Sequence, residues 1–284
     1  MNEIELARVA IALIGTAAAA YYDIYNKKNV PDRLLYAFLA LSLAVNVFDP
    51  SQFIARLPVA LLIIAFLYVT YRIGQLGGAD VFILASIYSA IPVMQTPLMM
   101  QPQIPDFFGL PSIFPIFSMA VFIFSVTVIA RYLPSAIVKT IRGKVKFNLS
   151  QIAQVIVLIV AYSFTAFLFL AEPIRFSLFH MLFIAFVMFL VVFFVLYKDL
   201  ITLQMIRWKT GRRIETEDVI ALEAIDPRIV SKHKLGRLVD EKQLRKMLKL
   251  KRKWPVLDLP MFLPYVLIAL IAYILIGDPL LYPF

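Results

Sequence analysis

The sequence predicts an all-α polytopic membrane protein of about eight transmembrane helices, with a small cytoplasmic segment before the last helix. Three observations lead there. Of 284 residues, 62% are hydrophobic and only 16% are charged, whereas a soluble domain carries about a quarter charged residues. The charge is also concentrated: Ile201–Lys253 holds 15 Lys/Arg and 7 Asp/Glu, which leaves 24 charges for the other 231 residues. The rest of the chain breaks into apolar runs near the ~20 residues that cross a bilayer as helix. Such a chain lacks the polar surface of a water-soluble globule. Soluble enzyme, secreted disulfide scaffold and disordered protein are all excluded.

The runs lie at about 5–24, 33–48, 52–72, 80–97, 112–137, 151–171, 174–197 and 258–281. The second is short and the eighth is interrupted by prolines. Each reads as helix because open backbone cannot face lipid. The first passes through Tyr21, Tyr22 and Asp23 into Lys27 and Lys28 with no small-residue cleavage site, the pattern of a retained span rather than a signal peptide. The chain divides into a transmembrane core (1–137), a basic loop with an additional transmembrane hairpin (138–200), a basic cytoplasmic segment (201–253) and a C-terminal transmembrane helix (254–284). Within the basic segment, Asp226-Pro227 marks a break, 214–222 is strand-like, and Asp240–Leu250 is an amphipathic helix capped by Asp240.

Basic residues orient the spans. With the N-terminus outside, the inward loops 24–33, 72–80, 131–150 and 198–254 hold 3, 1, 5 and 16 Lys/Arg, so 25 of the 28 lie inside. The exceptions are Arg8, Arg56 and Arg175, and the outward loop 97–111 has no Lys or Arg. The reverse topology would break the positive-inside rule at nearly every basic residue. Orientation therefore accounts for the pI of about 9.7 without a nucleic-acid partner, and the protein is placed in the cell membrane with its basic segment toward anionic lipid headgroups or cytoplasm. Zero cysteines and two distant histidines, His180 and His233, exclude thiolate metal centres, disulfides and a Cys nucleophile, and predict no metal and no cofactor. His180 reads as a helix-packing donor and His233 as a loop residue. Arg56 reads as a snorkelling side chain. No Gly-rich phosphate loop, serine elbow or internal repeat is present.

Acids in or near the membrane need an explanation each. Asp49, Asp106, Glu172 and Asp278 fall at outer ends of spans, and seven lie in the basic segment. Asp23 and Asp80 stand apart. Asp23 ends the first span, where an anion meets the negative end of the helix dipole; pairing with Lys27 is the plain structural reading. Asp80 follows Gly77-Gly78-Ala79 and opens the fourth span, where its plain reading is an N-cap. Topology sets both on the inner face, although they are 57 residues apart. Two carboxylates at one site do not ionise together easily and share a proton. One then activates water while its protonated partner polarises a peptide carbonyl, which is aspartic-protease chemistry without a metal. Gly77 and Gly78 permit close approach to Asp80. Asp32 is the rival acid, with N-capping of the second span as its plain reading, and Tyr22 and Tyr25 are interfacial anchors or hydrogen-bond donors near the pair.

Asp23 followed by Val30-Pro31-Asp32, and Gly77-Gly78-Ala79-Asp80 at the start of the fourth span, resemble the archaeal prepilin and preflagellin peptidases. These are GxGD-type membrane aspartic proteases of the type IV prepilin peptidase family. Trp254-Pro255-Val256, Pro260, Pro264 and Gly277-Asp278 resemble that family's last soluble loop and final helix, so the likeness covers about 5–137 and 240–284. It implies that 1–137 is the catalytic core, with Asp23 and Asp80 catalytic and Gly77 and Gly78 shaping the approach. It further implies prepilin-like or preflagellin-like substrates, whose short basic leaders are cut on the cytoplasmic side. The sequence departs from the family in three ways. The gap before Val30-Pro31-Asp32 is one residue longer, Ala79 replaces the second Gly, and 151–197 adds two spans. The bacterial relatives' Cys-bearing N-terminal domain has no counterpart in this sequence, so cleavage without N-methylation is expected. An ion- or proton-coupled transporter using the same aspartates is the alternative, but neither acid lies at mid-membrane. A signal-peptide-peptidase-like intramembrane protease would call for a Pro-Ala-Leu motif that the sequence lacks.

Overall fold

The computed structural model describes residues 3–26, 29–73, 76–92, 111–143, 145, 147–171, 178–210, 214–216, 218–250, 252–258 and 260–277. It is helical apart from one two-stranded ribbon. The helices are α1 (Glu3–Tyr25), α2 (Asp32–Ala44), α3 (Pro50–Arg72), α4 (Gly78–Ala90), α5 (Ile113–Ile141), α6 (Leu149–Ala171), α7 (Leu178–Met205), α8 (Pro227–His233), α9 (Glu241–Lys249) and α10 (Leu263–Ile276). Four stretches are long and apolar enough to cross a membrane: Glu3–Tyr25, Phe53–Arg72, Ile113–Ile141 and Ile184–Met205. Gly78–Ala90, Leu149–Phe164 and Leu263–Ile276 are shorter apolar helices. Each apolar run of the sequence thus coincides with a helix. Most of the outward loop 97–111, and with it Asp106, lies outside the described residues, as do Lys27, Lys28, Glu172, Arg175, Asp278 and the side chain of His180.

The chain forms two compact units. The first joins Met1–Phe122 to Ile206–Tyr282. Its centre is α4, on which Ile83 to Tyr88 and Ala90 are all buried. Such all-round burial explains why this helix has no polar face. Helices α1, α2 and α3 pack on it, and α10 packs on α1. By contrast α3 buries only Ile63 and Leu67 in full and exposes Leu61, Leu62, Phe66 and Val69. In a membrane that apolar surface meets acyl chains.

The face of α1 that enters the core is built from Ala12, Thr16, Ala19, Ala20 and Asp23. Small residues let backbones approach closely, the usual device where no hydrophobic drive separates protein from lipid. Gly15 takes this furthest, since a Cβ there would clash with the ring of Phe38 on α2. At the far end of α2 the chain tightens into a 3₁₀ turn, Val45–Phe48. Buried Asn46 ties that turn to α4 by donating to the carbonyls of Ser42 and Ser89, each at 2.9 Å.

The basic segment also belongs to the first unit and has a small core of its own, made by Ile214, Ile220, Ile225, Leu235, Val239, Met247, Trp254 and Val256. The expected amphipathic helix is present as α9, and Asp240 accepts from the Gln243 N–H at 2.6 Å as its N-cap. The strand-like reading of 214–222 needs correction. The ribbon is β1 (Ile206–Thr210) against β2 (Lys253–Leu257), antiparallel, with Ile206 opposite Leu257 and Thr210 opposite Lys253. From 214–222 only Val219 and Ile220 make single bridges, to Leu238 and Val256. The ribbon escaped notice because β1 continues directly from α7 and its charged residues read as loop. The other edge of β2 meets the bridge from Ile220, where the Pro255 carbonyl accepts from the Ala221 N–H and the Leu257 N–H donates to the Val219 carbonyl.

The second unit, Ile123–Met205, comprises the rest of α5 with α6 and α7. Polar side chains join one end of it: Gln151 donates to Asp199 at 2.9 Å, Thr140 and Tyr197 lie 3.1 Å apart, and Gln204 donates to Ser135 at 2.9 Å. Phe186, Phe189, Phe193 and Tyr197 form a ladder of ring contacts along α7.

The contact at Gly15 is testable. Gly15→Ala should destabilise the protein by about 1–3 kcal/mol through overpacking, read as a lower Tm in detergent. Adding Phe38→Ala to Gly15→Ala should recover part of that loss. A Gly15→Ala variant as stable as the parent would show that α1 and α2 do not approach this closely.

Candidate active site

Asp23 lies in the last turn of α1 and is only 6% exposed. An anion there faces the unfavourable end of its own helix dipole. The fold compensates from a second helix. α10 begins beside it, and the backbone N–H of Leu263, the first residue of α10, donates to Asp23 Oδ2 at 3.2 Å. The first N–H groups of a helix have no partner inside it, and its dipole favours negative charge there. Pro264 sits in the first turn of α10, where its missing N–H leaves no hydrogen bond unmade. The Lys27 partner considered for Asp23 lies outside the described residues.

Asp80 occupies a different position from the N-cap expected of it. α4 starts two residues earlier, at Gly78, with Gly77 as N-cap. Asp80 is therefore the third residue of the helix, and its Oδ2 accepts from the backbone N–H of Gly77 at 2.9 Å. This is the backward-reaching half of a capping box, and it fixes the carboxylate over the opening turn. A Cβ on Gly77 would lie 3.2 Å from Asp80 Oδ2, so this glycine does leave room for the acid. The side chain of Asp80 is half-buried.

The two acids lie close enough to act on each other electrostatically. Helix α1 contacts α4 directly, and the surrounding side chains are apolar: Ala20, Tyr22, Leu76, Ala79 and Phe262 all belong to the same core cluster. Tyr22 is half-buried there, whereas Tyr25 is exposed and stacks near Tyr21. Val30 is buried while Asp32 is exposed. Asp32 is also not the N-cap of α2 that its plain reading made it. It is the first helical residue, Pro31 takes the cap position, and no side chain caps the helix. Sequence reasoning missed the part played by Leu263, because a backbone donor carries no side-chain signature. Pro264 was the available signal, since a proline at that point marks a helix start and hence unpaired N–H groups. Among the described residues no three His, Asp or Glu side chains gather where they would hold a metal ion.

Four helices long and apolar enough to cross a membrane, with further shorter apolar helices packed among them, define the class: a multi-pass membrane protein. Residues 10–131 match the type IV leader peptidase family, a family of aspartic-type leader peptidases. The matched range contains Asp23, Gly77, Gly78 and Asp80. No curated protein and no solved structure gives a match.

The donor from α10 can be removed selectively. Leu263→Pro deletes the N–H that Asp23 accepts, and should lower turnover of a type IV leader peptide about tenfold or more, the worth of a hydrogen bond to a charged group. Leu263→Ala keeps the N–H and should retain much more activity. Equal losses in both variants would mean that Leu263 acts through packing alone.

Proposed function

We propose that the chain is a membrane aspartic endopeptidase that removes short basic leader peptides from prepilin-like or preflagellin-like precursors at the cytoplasmic face. The observation that carries this reading is that the family match spans both aspartates; the packing of α1 on α4 and the electrostatic influence of Asp23 on Asp80 support it. One carboxylate takes a proton from water as the water oxygen attacks the scissile carbonyl. Its protonated partner donates a hydrogen bond to the carbonyl oxygen and stabilises the tetrahedral intermediate. On collapse, the C–N bond breaks and the leaving amine takes a proton from the acid that had removed it from water. Asp23 and Asp80 share these roles, and Gly77 and Gly78 keep side chains away from the approach to Asp80. In this reading cleavage proceeds without N-methylation of the new N-terminus.

In this reading there are eight crossings, made by α1–α7 and α10, with both termini outside. The basic segment 201–253 is cytoplasmic. Both acids then face the compartment from which a basic leader enters, and a carboxylate pair attracts a basic peptide at short range.

Asp23→Asn and Asp80→Asn, assayed as purified protein with a prepilin-type peptide, should each lose at least about a hundredfold in kcat/KM, the usual contribution of general acid–base catalysis. Mass spectrometry should find the product N-terminus unmodified. Wild-type turnover by either variant overturns the assignment of the pair. For orientation, the absence of native cysteine makes single-cysteine variants clean reporters. Val47→Cys should react with a membrane-impermeant maleimide on intact cells, and Ser231→Cys only after lysis. The opposite pattern would invert the topology.

A further inference from the structure

Arg8 and Arg56 depart from the basic-residue pattern of the chain, since both sit at the outer end of the spans in the proposed orientation. They belong to different helices, α1 and α3, yet the fold brings them into one pocket together with Asn46, Phe53, Ala60, Tyr88, Ser89 and Pro92. Each lies roughly 8–9 Å along its helix from the start at Glu3 or Pro50, at 1.5 Å rise per residue. In the proposed orientation that depth falls near the boundary between headgroup and hydrocarbon.

A guanidinium at this depth is costly unless an anion meets it. The ion pairs found among the described residues all lie within 207–258, and neither Arg8 nor Arg56 takes part in one. Glu5 and Asp49 are near enough to influence Arg8 electrostatically, as is Arg56 itself. The Nε of Arg8 is buried and makes no hydrogen bond within the protein. Asp49 and Glu5 offset the charge of Arg8 through space, but its buried Nε–H still has no acceptor within the protein, so the pocket keeps a donor for an incoming anion. The pocket is narrow, so it admits one or two oxygens of an anion while the rest of the molecule stays outside.

We propose that Arg8 and Arg56 form an anion site that seats the phosphate of an anionic membrane lipid at the outer ends of α1, α3 and α4. The planar guanidinium forks suit phosphate oxygens. The apolar neighbours Phe53 and Ala60 suit the glycerol and first methylenes of an acyl chain. Asn46 lines the pocket but adds no donor to it, because both protons of its amide are already given to the carbonyls of Ser42 and Ser89. The site is at the opposite end of α1 from Asp23 and does not depend on the peptidase reading.

The test uses the full chain purified in detergent, with phosphatidylglycerol as the lipid probe and inorganic phosphate as the free anion. Lipid retention is followed by native mass spectrometry, and Tm is measured alongside. Wild type and Arg142→Gln, an equal charge change elsewhere, should retain the lipid and gain stability with it. Arg8→Gln and Arg56→Gln should each retain it about tenfold less well, as expected for losing a charge-assisted hydrogen bond, and should lose more than half of the Tm gain. If inorganic phosphate gives the same arginine-dependent gain, the site takes the anion from solution. If it gives none while the lipid does, the occupant is a lipid headgroup. The two variants lie on different helices, so misfolding of one leaves the other to decide. Wild-type lipid retention in either folded variant overturns the site.

Discussion

The meeting of the end of α1 with the start of α10 is the constraint on which the acid-bearing end of this protein depends. A carboxylate buried at the C-terminal end of its own helix is doubly disfavoured, by desolvation and by the helix dipole. Leu263 supplies a backbone N–H and the favourable end of a second helix at that point. The bond joins residues 240 positions apart, so it exists only because α10 returns to pack along α1. The small residues of α1 allow that close return, and they bring α4 near enough for Asp80 to share the site. Fold and candidate chemistry are therefore one requirement here: the acid can be buried only where the final helix comes back.

Asp80 is held by a different device. Its carboxylate is tethered by a local bond to Gly77 within one helical turn, which leaves it half-buried and partly open. One acid is fixed by long-range structure and enclosed, while the other is fixed locally and more accessible. The central helix α4 carries this arrangement. Its nearly complete burial pins the first turn, and with it Asp80, against the surrounding helices.

The opposite end of the same bundle shows the general rule that polar groups within a membrane must be answered from inside the protein or by a ligand. Asn46 is answered internally, by two carbonyls. Arg8 is not fully answered by protein, and that difference separates a structural polar residue from a candidate binding residue. The basic segment obeys the rules of water instead. It closes a small hydrophobic core around Trp254, seals it with a two-stranded ribbon, and leaves its charges at the surface.

Much was legible in the sequence because membrane insertion imposes strong one-dimensional signals. Span length, the sorting of Lys and Arg between loops, and the isolation of Asp23 and Asp80 among few charges can all be read along the chain. Glycines before an acid also speak locally, as Gly77 does for Asp80. Tertiary structure decided what depends on distant partners: the donor from Leu263, the contact of Gly15 with Phe38, the shared pocket of Arg8 and Arg56, and the pairing of β1 with β2. It also decided finer register, placing Asp80 at the third position of α4 and Asp32 at the first of α2 rather than at their caps. The physical reason is the same throughout. Hydropathy and charge act on each segment independently, so they leave a trace in the local sequence. A backbone donor, a close approach between helices or a strand pairing is a property of two segments, and neither segment alone records it.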